Sequence, residues 1–156
     1  VIAAPRIWTD VRFLSLMMSI FVFGLGGVLG IFVDGTDTRT PAHYHGVIGG
    51  INLAFMGLFF GFFLPLLSRS PSPSPGRAQR LSVWFYATGQ AVHSSGLFLA
   101  GGYGAPRKTA GDAQIIEAVG AQIGLYGMGI GAVIAVVGGI MFIWIAGRVI
   151  LRRVEP

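Results

Sequence analysis

Hydrophobic residues run through this chain in four long blocks with few polar interruptions, and the breaks between the blocks hold nearly all the charge. The blocks extend approximately from Arg12 to Val33, His43 to Leu67, Leu81 to Tyr103 and Ala118 to Gly147. Crossing a hydrocarbon core takes about 20 apolar residues in a helix, and each block reaches that length. Backbone groups left unpaired in lipid are costly, so the pattern predicts an all-α polytopic membrane protein with four transmembrane helices, a single membrane domain over residues 1–156. The first block has no small-residue cleavage site behind it and is long for the apolar part of a signal peptide, so it counts as a span. The chain starts at Val1. A processed chain, one incomplete at its N-terminus, or one cut from something longer is therefore expected.

Composition agrees with the pattern. Hydrophobic residues make up 53% and charged residues 11% of the 156, and mean hydropathy is +0.72, which sets aside an ordinary soluble domain. The net charge of +5 and pI near 10.5 would suit nucleic acid, but the basic residues sit in short flanks without a continuous basic face, and no nucleic-acid partner is expected. With no cysteine there is no disulfide, no thiolate metal site and no thiol nucleophile. Phosphate loops, nucleophile elbows and a carboxylate constellation in the second block are absent too.

Four spans put both termini and the middle loop on one side, with Arg6, Arg12, Arg69, Arg77, Arg80, Arg148, Arg152 and Arg153. The other side holds Arg39, Arg107, Lys108, Asp34, Asp37, Asp112 and Glu117. The excess of arginine predicts cytoplasmic termini; an integral protein of a bacterial or archaeal cytoplasmic (inner) membrane is expected. Residues 68–80, within "SRSPSPSPGRAQR", read as an extended, solvated Pro/Ser-rich connector. The C-terminal "RVILRRVEP" reads as the cytoplasmic end of the fourth helix. Glycines four apart, Gly26/Gly30, Gly46/Gly50, Gly57/Gly61 and Gly127/Gly131, line helix faces with small residues; they serve close packing on helices or flat cofactors, or reflect the general abundance of glycine in membrane helices.

Two of the chain's three histidines, His43 and His45, open the second block. Thr40 can cap that helix and Pro41 suits its first turn. At about 100° per residue, positions two apart point in nearly opposite directions, so one compact metal ion cannot readily take both. Two large cofactors flanking the helix, each taking one imidazole, use this spacing well, and haem is the candidate. The alternative is a pair of histidines hydrogen-bonded to water at the interface. His93 lies in the third block beside Gln90, Ser94 and Ser95; counting about 1.5 Å per residue puts it on the order of 15 Å deeper than His45. It is then a hydrogen-bonding residue or part of a polar path, and a small stand-alone cytochrome using His45 and His93 is disfavoured. Beyond the third helix, Pro106 is followed by Arg107 and Lys108 in "GAPRK". Adjacent cations at a membrane face can neutralise haem propionates.

These residues resemble the haem-copper oxidases, specifically the last third of their large catalytic subunit (the cytochrome c oxidase subunit I family), helices nine to twelve. In that family an HxH pair on the tenth helix ligates a high-spin haem and then a low-spin haem. "PAHYHG" is similar, so the resemblance implies His43 for the high-spin and His45 for the low-spin iron. A G-x-P-R-R turn of the family binds haem propionates; "GAPRK" resembles it and implies that role for Arg107 and Lys108. Tyr44 packs at the inter-haem contact or simply fills space. Asp37, in "DGTDTR", is a candidate outer metal or water contact, or part of a solvated acidic loop.

The family's copper ligands and the second ligand of its low-spin haem come from earlier helices, which this chain lacks. The resemblance implies a C-terminal part of a split or fragmentary oxidase, catalytically incomplete alone. It would share two haems with a partner chain that binds the copper and would sit with other oxidase subunits. It would take electrons from cytochrome c or quinol and reduce dioxygen to water. Glycine-rich faces would form the interface with that partner. A related nitric oxide reductase and a haem-free membrane scaffold or assembly paralogue are the alternatives.

Overall fold

The computed structural model describes residues 9–67, 76–108 and 116–151. Most of the Pro/Ser-rich connector lies outside these residues, as do Arg6, Arg69, Asp112, Arg152 and Arg153. Every regular element described is helical: α1 (Val11–Gly30), α2 (Arg39–Leu58), a π-helical turn (Phe59–Phe63), α3 (Leu64–Leu66), α4 (Gly76–Gly102) and α5 (Val119–Ile150). Three of these stretches are long and apolar enough to cross a membrane: Val11–Gly30, Arg39–Leu66 and Val119–Ile150. Helix α4 has 27 residues but carries Arg77, Gln79, Arg80, Gln90 and His93, and is too polar to join them by that measure.

Local chemistry sets the boundaries. The Asp10 side chain accepts from the Arg12 amide at 2.8 Å and starts α1. Helix α2 begins at Arg39, four residues before the apolar block, because the Asp37 carboxylate accepts from the Arg39 amide at 2.8 Å. The cap expected of Thr40 is thus supplied earlier in the chain. Thr40 lies inside the first turn with its hydroxyl buried and unpartnered. Helix α4 likewise begins at Gly76, inside the stretch expected to be connector, since Arg77, Ala78, Gln79 and Arg80 are good helix formers.

Helices α1 and α2 pack antiparallel, with Gly57 facing Ser15, Gly50 facing Phe23 and Gly46 facing Gly26. Leu14, Val22, Leu53, Met56, Val83 and Ala87 form a buried cluster where α1, α2 and α4 meet. Helix α5 packs along α4. A side chain on Gly124, Gly131 or Gly138 would strike the backbone of Ala100, His93 or Tyr86, and one on Gly89 or Gly96 would strike Ala135 or Met128. Many of the glycines are thus used for close packing inside the chain. Their controlling spacing between α4 and α5 is seven rather than four, which keeps one seam facing the neighbouring helix over successive turns.

Candidate functional site

One end of the bundle gathers the histidines and the basic turn. The loop after α1 and the loop after α4 lie side by side there. The Thr38 amide donates to the Ala105 carbonyl at 3.1 Å and the Arg107 amide to the Thr36 carbonyl at 3.1 Å, while the Thr38 hydroxyl reaches the Leu97 carbonyl at 2.7 Å. Each loop turns through one glycine in the left-handed region, Gly35 at φ +90° and Gly104 at φ +85°, a conformation that a Cβ would strain. The start of α2 is thereby tied to the Pro106–Arg107–Lys108 turn, and both cationic side chains are exposed.

Asp37 is 8% exposed. Its carboxylate accepts from the Arg39 amide and Nε, both at 2.8 Å, and pairs with Arg39 Nη2 at 2.6 Å. That is a loop staple within the chain. Among the described residues no group of three or more His, Cys, Asp or Glu side chains is placed to hold a metal ion. Asp34 takes both the amide and the hydroxyl of Thr36 at 3.0 Å. Those two bonds hold its carboxyl below the usual carboxylate range.

His43 and His45 project to different neighbours, as their spacing predicts. The His43 ring lies against α1: its Nδ1 is 2.8 Å from the Gly26 carbonyl, and a Cβ on Gly30 would fall 2.5 Å from the same nitrogen. A carbonyl only accepts, so Nδ1 carries the proton, and in the neutral ring Nε2 keeps its lone pair. This is how metal-ligating histidines are usually oriented, with one nitrogen on a backbone carbonyl and the other on the metal. The Tyr44 ring is tilted against His43 at 5.4 Å and is 51% exposed, which leaves it available to pack on a neighbouring group.

His45 lies on the α4 side, with its ring 4.5 Å from that of His93 in an edge-to-face arrangement. The expected depth difference between these residues is therefore wrong. Helix α2 starts four residues earlier than its apolar block, and α2 and α4 run antiparallel with the two histidines in register. Asn52 and Tyr86, seven residues from His45 and His93 on their respective helices, form the next rung, joined by a 2.8 Å hydrogen bond. Proximity does not make His45 and His93 two ligands of one haem. At metal–nitrogen bonds of about 2 Å, imidazoles on opposite faces of one iron hold their centroids about 6 Å apart. The sequence pattern missed the polar seam between α2 and α4; the signal was present in the matched seven-residue spacings His45/Asn52 and Tyr86/His93.

No protein-family model matches the chain. Over 141 residues it is 33% identical to the uncharacterized protein RP382 of Rickettsia prowazekii (strain Madrid E), a match covering 85% of this chain and 27% of that protein. Over 51 residues it is 39% identical to an uncharacterized protein of Aquifex aeolicus (strain VF5), covering 33% of this chain and 13% of the relative. The chain thus spans about a quarter of the length of the Rickettsia relative it matches.

Proposed function

We propose that this chain is the C-terminal part of a haem-copper oxidase catalytic subunit, with His43 axial to a high-spin haem and His45 axial to a low-spin haem. The observation that carries the reading is the His43 ring, whose Nδ1–H is committed to the Gly26 carbonyl while Nε2 keeps a lone pair for a metal. Helix α2 separates that ring from His45, which suits two cofactors rather than one. The tie between the start of α2 and the Arg107–Lys108 turn holds two cations at the same end, where they would neutralise propionates. The haems, when bound, supply one-electron transfer and an iron at which dioxygen is reduced to water, with the copper held by the partner.

In this reading α4 is a fourth span. Its polar positions are tolerated because they face α2, α5 and the partner's helices rather than lipid. Both termini are cytoplasmic, the protein resides in a bacterial inner membrane, and cytochrome c or quinol is the donor. A relative about three times as long supports a partner segment that supplies the preceding helices.

The test is purification of the intact complex through this chain, followed by haem analysis and carbon monoxide difference spectra. Two haems are expected, one of which binds carbon monoxide. His43→Ala should abolish the carbon monoxide signal and His45→Ala the low-spin signal, each lowering turnover more than tenfold. A haem-free complex would leave the scaffold reading. Nitric oxide turnover in place of oxygen turnover would leave the reductase.

A further inference from the structure

We infer that His93 is a positioning residue for His45, accepting a hydrogen bond from the His45 ring and so presenting its other nitrogen to the low-spin haem. The inference rests on the proposed role of His45. His93 Nδ1 is 2.9 Å from the Met128 carbonyl on α5. The carbonyl accepts, so Nδ1–H donates, and in the neutral ring Nε2 carries a lone pair. That nitrogen is buried and has no hydrogen-bond partner among the described residues. A buried acceptor without a donor is costly and rare.

The seam around it holds other polar atoms still to be matched, the Ser94 hydroxyl among them. Gln90 Oε1, one helical turn away on the same face of α4, is also buried and unpartnered. The His45 ring is in edge-to-face contact with His93 at 4.5 Å, and a neutral imidazole has one N–H in either tautomer. Turning the two rings into line satisfies His93 Nε2 and leaves the second His45 nitrogen unprotonated. Helix α5 fixes the far end of the relay: a Cβ on Gly131 would come within 2.8 Å of the His93 Cα, so the backbones touch where the Met128 carbonyl accepts the hydrogen bond from His93 Nδ1–H.

An acceptor behind a ligating imidazole fixes its tautomer and raises its basicity. It favours the oxidised iron, so losing it raises the midpoint potential. The experiment is a redox titration of the intact complex carrying His93→Asn or His93→Gln. Asparagine can keep a donor toward Met128 but cannot reach the Nε2 position; glutamine can place an acceptor there. His93→Asn should raise the low-spin midpoint potential by at least a tenfold change in the reduction equilibrium, about 59 mV for one electron. His93→Gln should restore most of it, and the carbon monoxide spectrum should be unchanged in both.

Equal low-spin potentials in all three proteins, with both haems in place, would overturn the positioning role and leave the haem reading standing. A wild-type complex without haem would overturn both. One further readout needs no variant. Pulsed electron paramagnetic resonance of the oxidised low-spin haem in D2O should find the His45 N–H proton exchanging slowly; exchange as fast as that of an open imidazole would overturn the inference.

Discussion

The two imidazoles of the HxH pair lie two positions apart in the sequence and are held in opposite ways. His43 is fixed by backbone, through the Gly26 carbonyl and the bare Cα of Gly30. His45 is exposed and its ring lies against another side chain, the His93 ring. One half of the site is thus built by the close approach of α1 and α2, and its geometry is complete within the chain. The other half is a seam of side chains with lone pairs still to be matched, Gln90 and His93 among them. The difference teaches that small residues pre-organise the His43 ring, whereas the His45 ring depends on what is added to the seam.

The largest effect should come from filling the backbone contact on the His43 side. A Cβ on Gly26 would lie within 2.9 Å of the Gly46 Cα and close to other backbone atoms of the same turn, which cannot move aside as a side chain can. Gly26→Val should destabilise the complex by about 3 kcal/mol, read as a lower thermal unfolding midpoint, and should remove the carbon monoxide signal. A variant as stable as wild type would break the claim that this half is built on backbone.

Next in size is Gly30→Ala. The added methyl meets the His43 ring itself, 2.5 Å from Nδ1 and 2.8 Å from Cε1. The ring must swing away from the Gly26 carbonyl, and the cost of overpacking is about 1–2 kcal/mol. The sharper readout is cofactor content, with high-spin haem falling at least tenfold and low-spin haem retained. Equal loss of both would merge the two halves into one unit.

How much of this asymmetry was legible in the sequence follows from which interactions are local. The long helices are visible as apolar blocks, and the divergence of His43 and His45 follows from helical pitch alone. The Gly26 carbonyl that orients His43 lies on another helix, and no pattern of side chains marks a backbone acceptor. The register of α2 against α4 was misread because polar residues extend both helices: Asp37 caps α2 at Arg39, and α4 reaches back to Gly76. Helix ends set by capping and propensity are not marked by hydrophobicity. The sequence shows glycines at a spacing of four, but the contact between α4 and α5 repeats every seven residues, a choice set by the crossing of two helices and not by either one alone.

A smaller effect should separate the two sides further. Gly49 is the glycine of α2 that faces the His45 seam, and a Cβ there would meet the Gln90 side chain, 3.0 Å from Cγ and 3.2 Å from Cδ. Glutamine can shift by a few tenths of an ångström, so Gly49→Ala should cost less than about 1 kcal/mol. Both haem spectra should survive. Loss of the low-spin signal in this variant would mean that the seam is as rigid as the backbone contact on the other side.

The smallest effect is one of pH, and it belongs to the loop that leads into α2. Thr36 donates its amide and hydroxyl to the Asp34 carboxylate, so the carboxyl is lowered in the folded protein relative to the open chain. The ionised form is the one favoured by folding. Its contribution is therefore complete above the unfolded value of about 3.9 and disappears as pH falls through the lower folded value. Asp34 is exposed and the bonds are open to solvent, so the loop should loosen locally while the bundle stays folded. Hydrogen exchange at the Thr36 amide, taken relative to its intrinsic rate, should lose protection only below about pH 4, and Asp34→Asn should flatten that dependence. A loss of Thr36 protection already near neutral pH would instead tie the loop to the histidines and dissolve the distinction between them.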